Sequence, residues 1–392
     1  MNRILFVIDV MRKGGGAQKV LAMLLPMLQS KGFIVELVVL KKTEQLLEIV
    51  GVKTYYVLEC EKEALLPNTF CVLDKLVGLL RGFDLVCSFM DFITSYFVAL
   101  AAKVSQTPYY NFVRCEPSFV AETFPQARIN KELYALCLKG AQKVVCNSKS
   151  SCLDVEKNFN VAKQNIYLLQ NPINAQQILE QSEMGLGEME ALFCDDSVFC
   201  VSVGRLHPQK NYTTLLKAFL ELKDSKIKLI LLGDGEQRGE LEAFIAQHQM
   251  QNVFLLGYQS NIYPFLKRAD IFVHCAFYEG FPNGVLEAAF LKKPLILSDI
   301  ATHREIFNTE SAQFFMPKDF KHLADLILFV AFDVKERTRL SKEAERIMRK
   351  YQKESFEKKL EKLFHWENLH RMRNAQTPLG KPSDNAQCTL KD

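Results

Sequence analysis

Apolar residues fall along the chain in two alternating kinds of run. Short unbroken runs such as Arg3–Val10, Phe33–Leu40, Thr54–Leu58, Leu85–Phe89, Tyr109–Val113 and Lys143–Cys146 have the length and β-branched content of strands buried on both faces. Between them lie stretches with apolar positions three and four apart, as in Val20, Leu21, Leu24, Leu25 and Leu28, which predict helices over Gln18–Lys31, Asp91–Lys103 and Asn130–Gly140. The same alternation starts again at Val198–Val203. It continues through Lys228–Leu232, Asn252–Tyr258, Ile271–Cys275 and Pro294–Ser298, with helices at Tyr212–Leu222 and Val285–Leu291. From Lys318 the pattern is helical and charged, with a last amphipathic stretch over Phe356–Leu369. Strand and helix in strict alternation predict parallel sheets wound on both faces.

The pattern breaks once, at the polar, weakly periodic Gln176–Asp196. We therefore expect two doubly wound domains. The first spans residues 1–172 and receives a helix from about 353–370. The second spans 173–352, and 371–392 is a polar tail expected to be disordered. A length of 392 residues suits two cores of ordinary size. No apolar run is long enough to span a bilayer, and the first residues lack the features of a signal peptide. The eleven cysteines are scattered, many within apolar runs, as small hydrophobes in a reducing compartment are. A net charge of +4 is too weak to suggest nucleic acid. The surplus lies in the first 172 residues, where it is compatible with an anionic acceptor or membrane surface.

Chemistry concentrates where strands end. After the first strand comes Arg12-Lys-Gly-Gly-Gly16, which does not fit G-x-G-x-x-G and lacks the acidic residue that an NAD ribose requires. Asp91, Arg114 and Glu116 follow other strand ends of the first half, where ligands of open α/β sheets bind. After Val203 comes Gly204-Arg205-Leu-His-Pro-Gln-Lys210-Asn, with two cations suited to a diphosphate. Asn252–Tyr258 ends in Gly257-Tyr258. After Cys275 comes Glu279-Gly280-Phe281-Pro282-Asn283-Gly284-Val285-Leu286-Glu287: a tight loop running into a helix N-terminus, with a carboxylate at each end. Loop amides and a helix start suit phosphate oxygens, and carboxylates suit sugar hydroxyls. His274, inside an apolar strand, reads as a core or strand-end histidine, and His303 as a helix-start histidine ahead of a phosphate contact.

The Glu279–Glu287 stretch resembles the E-x7-E signature of retaining glycosyltransferases of family 4. The Gly204-Arg205-Leu-x-x-x-Lys210-Asn and Asn171-Pro172-Ile173 segments match the same family's pattern. That resemblance implies the GT-B fold, two Rossmann-like domains facing a central cleft, with the last helix crossing back to the first domain. It implies a nucleotide-sugar donor, with a UDP-sugar, UDP-GalNAc first, as the expected one, and no cofactor or divalent metal. In that reading Arg205 and Lys210 neutralise the leaving diphosphate and Glu287 takes the ribose. Glu279 and the amides from Gly280 to Gly284 take the sugar and phosphates, with Phe281, Pro282, Asn283, Val285 and Leu286 among the donor-binding residues; Gly257 and Tyr258 meet the nucleobase, and Gly15 and Gly16 lie beside the donor. Glu116, ahead of Asp91, is the acceptor-side candidate, because no obvious histidine occupies that region. The acceptor implied is a growing glycan, lipid-linked in many relatives, in polysaccharide, lipopolysaccharide or glycoprotein-glycan synthesis. The place implied is the cytoplasm, with peripheral contact to the inner membrane face. Two other activities fit the same fold: a UDP-N-acetylglucosamine 2-epimerase and a non-catalytic sugar-nucleotide-binding scaffold.

Overall fold

A computed structural model describes residues 2–364 of the chain, apart from 45 and 61. Two parallel sheets organise it. The first contains β1 (Arg3–Ile8), β2 (Ile34–Lys41), β3 (Lys53–Leu58), β4 (Leu85–Ser88), β5 (Tyr109–Val113), β6 (Lys143–Cys146) and β7 (Ile166–Leu168), in the order β3-β2-β1-β4-β5-β6-β7. The second contains β8 (Val198–Val203), β9 (Ile227–Leu232), β10 (Val253–Gly257), β11 (Ile271–His274), β12 (Leu295–Ser298) and β13 (Gln313–Phe315), in the order β10-β9-β8-β11-β12-β13. Each sheet carries an apolar core on either face, which is why its inner strands are apolar at nearly every position. The strand order reverses beside β1 and β4 in one sheet and beside β8 and β11 in the other. A crevice opens at such a reversal, beyond the carboxyl ends of the strands.

The elements depart from the expected pattern in detail. The helix predicted from Gln18 begins at Gly16 and runs to Ser30, with Pro26 inside it. The helices expected from Asp91 and Asn130 occupy Ile93–Ser105 and Ala127–Gly140. Strands β7 and β13, three residues each, have no counterpart in the sequence pattern, because so short an edge strand leaves no periodicity to read. The connection read at 176–196 holds a helix, Ala175–Ser182, and a 3-10 turn, Gly187–Phe193.

Helix Lys353–Leu363 belongs by packing to the first sheet. Phe356, Leu360, Leu363 and Phe364 enter the core beside the first helix. The Phe364 ring lies 6.2 Å from Phe6 and 5.7 Å from Tyr110 between centroids. Tyr167 Oη donates to the Lys359 carbonyl (2.7 Å), and Ile173 N donates to the Tyr351 carbonyl (2.9 Å) where the chain passes between domains. The remainder of the helix expected to run to Leu369, and the tail expected at 371–392, lie outside the described residues.

Candidate functional site

Lys210 reaches the cleft because its loop is pinned from behind. The turn Pro208–Lys210 ends on Asn211 in the left-handed region (φ 56°), a conformation that asparagine tolerates better than most residues. Asn211 Nδ2 donates to the carbonyls of Cys275 (3.1 Å) and Pro317 (2.5 Å), fixing the turn to β11. Gly204 leaves room for the lysine stem, since a Cβ there would stand 2.7 Å from Tyr212 Oη and 3.3 Å from Lys210 Cε. The Lys210 ammonium pairs with Glu279 Oε1, with only 19% and 7% of the two side chains exposed.

Glu279 is held from the other side by the second half of the sheet. His274 Nε2 lies 3.4 Å from Glu279 Oε1, and Thr302 Oγ1 donates to the Glu279 carbonyl (3.2 Å). His274 Nδ1 lies 3.1 Å from His303 Nε2, and His303 Nδ1 lies 2.7 Å from the Ser298 carbonyl. Burial, reinforced by the Lys210 charge, holds His274 well below the usual histidine range and brings His303 down to about 4. Both rings are therefore neutral near pH 7.

The loop after Glu279 leads into helix Asn283–Phe290, whose start has no side-chain cap. Phe281, Val285 and Leu286, expected among donor contacts, are core residues of the second domain. Their side chains face packing, so only their backbones are open to a ligand. Glu287 accepts from Tyr263 Oη (3.2 Å). Burial pushes its carboxyl up, while Lys19 of the first domain opposes the shift.

Arg205 and Lys210 are engaged by different carboxylates. The Arg205 guanidinium, 66% exposed, bonds Glu236 Oε2 at 3.0 Å, and His207 Nε2 lies 3.2 Å from the other oxygen of the same carboxylate. The competitor is Glu236, which no spacing in the sequence connects to Arg205.

The first domain closes the cleft opposite. The Tyr258 ring lies over Gly14, where a Cβ would approach it to 2.6 Å, and Asn283 Nδ2 lies 3.1 Å from the Cβ position of Gly16. Gly257, at φ 70°, turns the chain so that Tyr258 reaches across. Arg114 Nη2 donates to Asn171 Oδ1 (2.9 Å), and Asn171 Nδ2 donates to Asn283 Oδ1 (2.8 Å). Gly280 packs on Arg114, whose carbonyl oxygen would lie 1.9 Å from a Cβ at that position. Phe119 and Tyr278 stack across the seam with centroids 5.6 Å apart. The bridging role of Asn171 has no local signal in the sequence.

Asp91, an acceptor-side candidate, is tied into the end of β5. Its Oδ1 accepts from Tyr134 Oη (2.6 Å), and its Oδ2 from Arg114 N (3.0 Å) and Cys115 Sγ (3.4 Å). Both oxygens are thus committed to holding the end of β5. Glu116 is buried beside Ser150, and burial raises its carboxyl, helped by Asp154 and Glu305. Glu305 comes from the second domain and accepts from Lys149 N (2.7 Å) and Ser150 N (3.3 Å) at the start of helix Lys149–Asn158. Glu116 therefore sits at the domain seam among carboxylates. Among the described residues, no three His, Cys, Asp or Glu side chains are grouped to hold a metal ion.

The cleft thus combines a buried ammonium–carboxylate pair, an uncapped helix start and glycine-lined backbone, which together suit a phosphate-bearing ligand with hydroxyls. The chain is 28% identical over 309 residues to the N-acetylgalactosamine-N,N'-diacetylbacillosaminyl-diphospho-undecaprenol 4-alpha-N-acetylgalactosaminyltransferase of Campylobacter jejuni, covering 76% of this chain and 81% of that protein. It is 27% identical over 296 residues to the N,N'-diacetylbacillosaminyl-diphospho-undecaprenol alpha-1,3-N-acetylgalactosaminyltransferase of the same organism, covering 71% and 77%. Among solved structures, Anabaena HepE in complex with UDP and glucose superposes with a TM-score of 0.80 at 17% identity, over 93% of this chain and 99% of that one. Sucrose-phosphate synthase of Thermosynechococcus elongatus gives 0.78 at 16%, over 96% and 100%. These structural likenesses establish the two-domain GT-B fold. Residues 190–347, within the second domain, match the family described as glycosyl transferases group 1.

Proposed function

We propose that the chain is a retaining glycosyltransferase that moves a hexosyl or N-acetylhexosaminyl group from a UDP-sugar to a growing, lipid-linked glycan. The observation that carries this reading is the largely buried Lys210–Glu279 pair at the strand reversal of the second sheet, in a domain whose Tyr258 and Asn283 meet the glycine loop of the first. Lys210 stabilises the charge developing on the leaving diphosphate. Arg205 joins it by leaving its exposed partner Glu236, a small cost for a solvated pair. Two protein cations then serve where other transferases use a divalent metal. Glu279 and the amides from Gly280 to Gly284 hold the sugar and phosphates, Glu287 the ribose, and Gly257 and Tyr258 the base. The sugar C1–O bond to the diphosphate breaks as the acceptor oxygen bonds C1 on the same face. The acceptor proton passes to the departing phosphate oxygen.

The two Campylobacter relatives are named for undecaprenyl-diphosphate-linked substrates, which supports a lipid-linked acceptor here. No described helix is long and apolar enough to cross a membrane. The first domain does expose Leu100 and Val104 on helix Ile93–Ser105 and Ile129, Leu133 and Leu136 on helix Ala127–Gly140, with Lys103, Arg128 and Lys139 also exposed on those helices. An apolar stripe with basic neighbours suits peripheral contact with an anionic cytoplasmic leaflet, where a lipid-linked acceptor is reached.

The test is UDP release from a panel of UDP-sugars, with and without undecaprenyl-diphosphate-linked glycans, in the presence of chelator. Acceptor-dependent UDP release that survives chelation is expected. UDP-sugar isomerisation without acceptor would establish an epimerase instead, and binding without turnover a scaffold.

A further inference from the structure

Strand β11 is apolar at Ile271, Phe272 and Val273, then places a buried imidazole at His274 against a second one at His303. Two polar rings in a core cost more than two apolar side chains unless every nitrogen has a use. The hydrogen-bond network fixes their protons. The Ser298 carbonyl only accepts, so His303 Nδ1 is the donor (2.7 Å). In the neutral ring His303 Nε2 is then an acceptor, and it takes the Nδ1–H of His274 (3.1 Å). That leaves His274 Nε2 as a lone pair, the one ring nitrogen of the two not turned to the other ring or to backbone. It faces Glu279 Oε1 at 3.4 Å, a second acceptor. Two acceptors face each other stably only with a shared donor beside them, and the Lys210 ammonium, paired to that same oxygen, is the donor present.

We propose that His274 and His303 are positioning residues: a tautomer-locked pair that presents His274 Nε2 as an uncharged acceptor to Lys210. The pair divides the ammonium between Glu279 and His274 and keeps its remaining N–H directed at a donor diphosphate. This deepens, and rests on, the reading of the cleft as a nucleotide-sugar site. An uncharged acceptor is the suitable partner. A second carboxylate in its place would give the site a net negative charge and oppose a diphosphate, while an apolar side chain would let Lys210 close wholly onto Glu279. The charged groups facing the pair are Lys210 and Glu279 at the His274 end and Asp299 at the His303 end.

The test has two parts. In the wild-type protein with 15N-labelled histidines, long-range imidazole spectra are expected to show both rings as Nδ1–H tautomers. Neither ring should titrate between about pH 6 and 8, and the His274 Nε2 resonance should shift when UDP is added. An Nε2–H tautomer at either position, or a titrating His274 that donates to Glu279, overturns the proposal. In calorimetry with UDP, His274→Leu should raise the Kd about tenfold, and His274→Gln, whose amide oxygen reaches the same place, should recover most of that loss. Equal UDP affinity in wild type and His274→Leu overturns the positioning role and leaves the site assignment standing. A wild type that binds no UDP sinks the proposed function itself and the role built on it. Should His274→Leu not fold, His303→Phe serves in its place, since it frees His274 to change tautomer and should weaken UDP by a similar factor.

Discussion

Replacing Gly280 by alanine tests whether the two domains must meet face to face at the site. A Cβ at position 280 would lie 1.9 Å from the Arg114 carbonyl oxygen and 2.9 Å from Cys115 Cα, both backbone atoms of the other domain. A carbon–oxygen contact needs about 3.3 Å, so the seam would have to open by about 1.4 Å there. Neither neighbour is the tip of a flexible side chain. Arg114 is held by Asp91 and Asn171, so the loop and not the strand end would move. The same loop carries Glu279 and leads to Asn283, so the displacement is delivered directly to the Lys210 pair and the Asn171 bridge. A misplacement of about 1 Å at a reacting centre costs on the order of a hundredfold, which corresponds to about 2.7 kcal/mol of barrier. We therefore expect Gly280→Ala to lower kcat/KM for UDP-sugar turnover about a hundredfold with little change in melting temperature, because neither core is touched. Small-angle scattering should show a wider inter-domain separation with UDP bound. Gly78→Ala is the control. It lies in helix Thr69–Leu80 with nothing within 4 Å of the added methyl, and should leave activity unchanged. Wild-type activity and scattering in Gly280→Ala would refute the idea that closure at this contact is needed.

Three further outcomes follow from the packing. The folded pKa of His303 lies at about 4, below its ordinary 6.5, so between those values the unfolded chain binds a proton that the native chain does not. Stability should therefore fall as pH drops from about 6.5 to 4, by up to about 1.4 kcal/mol per pH unit from this residue. Urea midpoints of His303→Phe should show a shallower acid dependence than wild type, and parallel curves would disprove the assignment. Phe364→Ala removes a fully buried ring from the first-domain core and should cost about 3–5 kcal/mol, read by urea unfolding; a loss below about 1 kcal/mol would mean that the last helix is not seated there. Glu305→Ala deletes the acceptor for two amides at the start of helix Lys149–Asn158, and should cost about 1 kcal/mol and speed amide exchange at Lys149 and Ser150.

The strand–helix alternation was legible because buried parallel strands write themselves as unbroken apolar runs and their helices as a 3.6-residue stripe. The strand-end loops followed from the same pattern, since glycine-rich turns after β1, β8 and β11 lie where a doubly wound sheet must leave an opening. What escaped were contacts made only in three dimensions. Arg205 reads as the companion of Lys210 because they share a loop, yet its guanidinium pairs with Glu236 from the turn after β9. Asp91 looked available because it follows a strand, but Tyr134, forty-three residues away, takes one of its oxygens. Asn171 and Asn283 are separated by 112 positions and bond across the seam. No local spacing encodes such pairs, and they decide which strand-end residues remain open to a ligand.

Among the described residues the chain passes between its domains near Ile173 and near Tyr351, and the backbone hydrogen bond joining those points makes one strap two segments wide. A ribbon of that kind bends readily across its width and resists twisting and sideways shear. Rocking open and shut is therefore the soft motion left to the two halves, and each closure returns Gly280 to Arg114 and Asn283 to Asn171 in the same alignment. Cutting the chain after Tyr351 would remove the second segment and turn a guided swing into free tumbling about a single tether. The helix Lys353–Leu363 is thus also a mechanical part, the anchor that gives the cleft a single path along which to close.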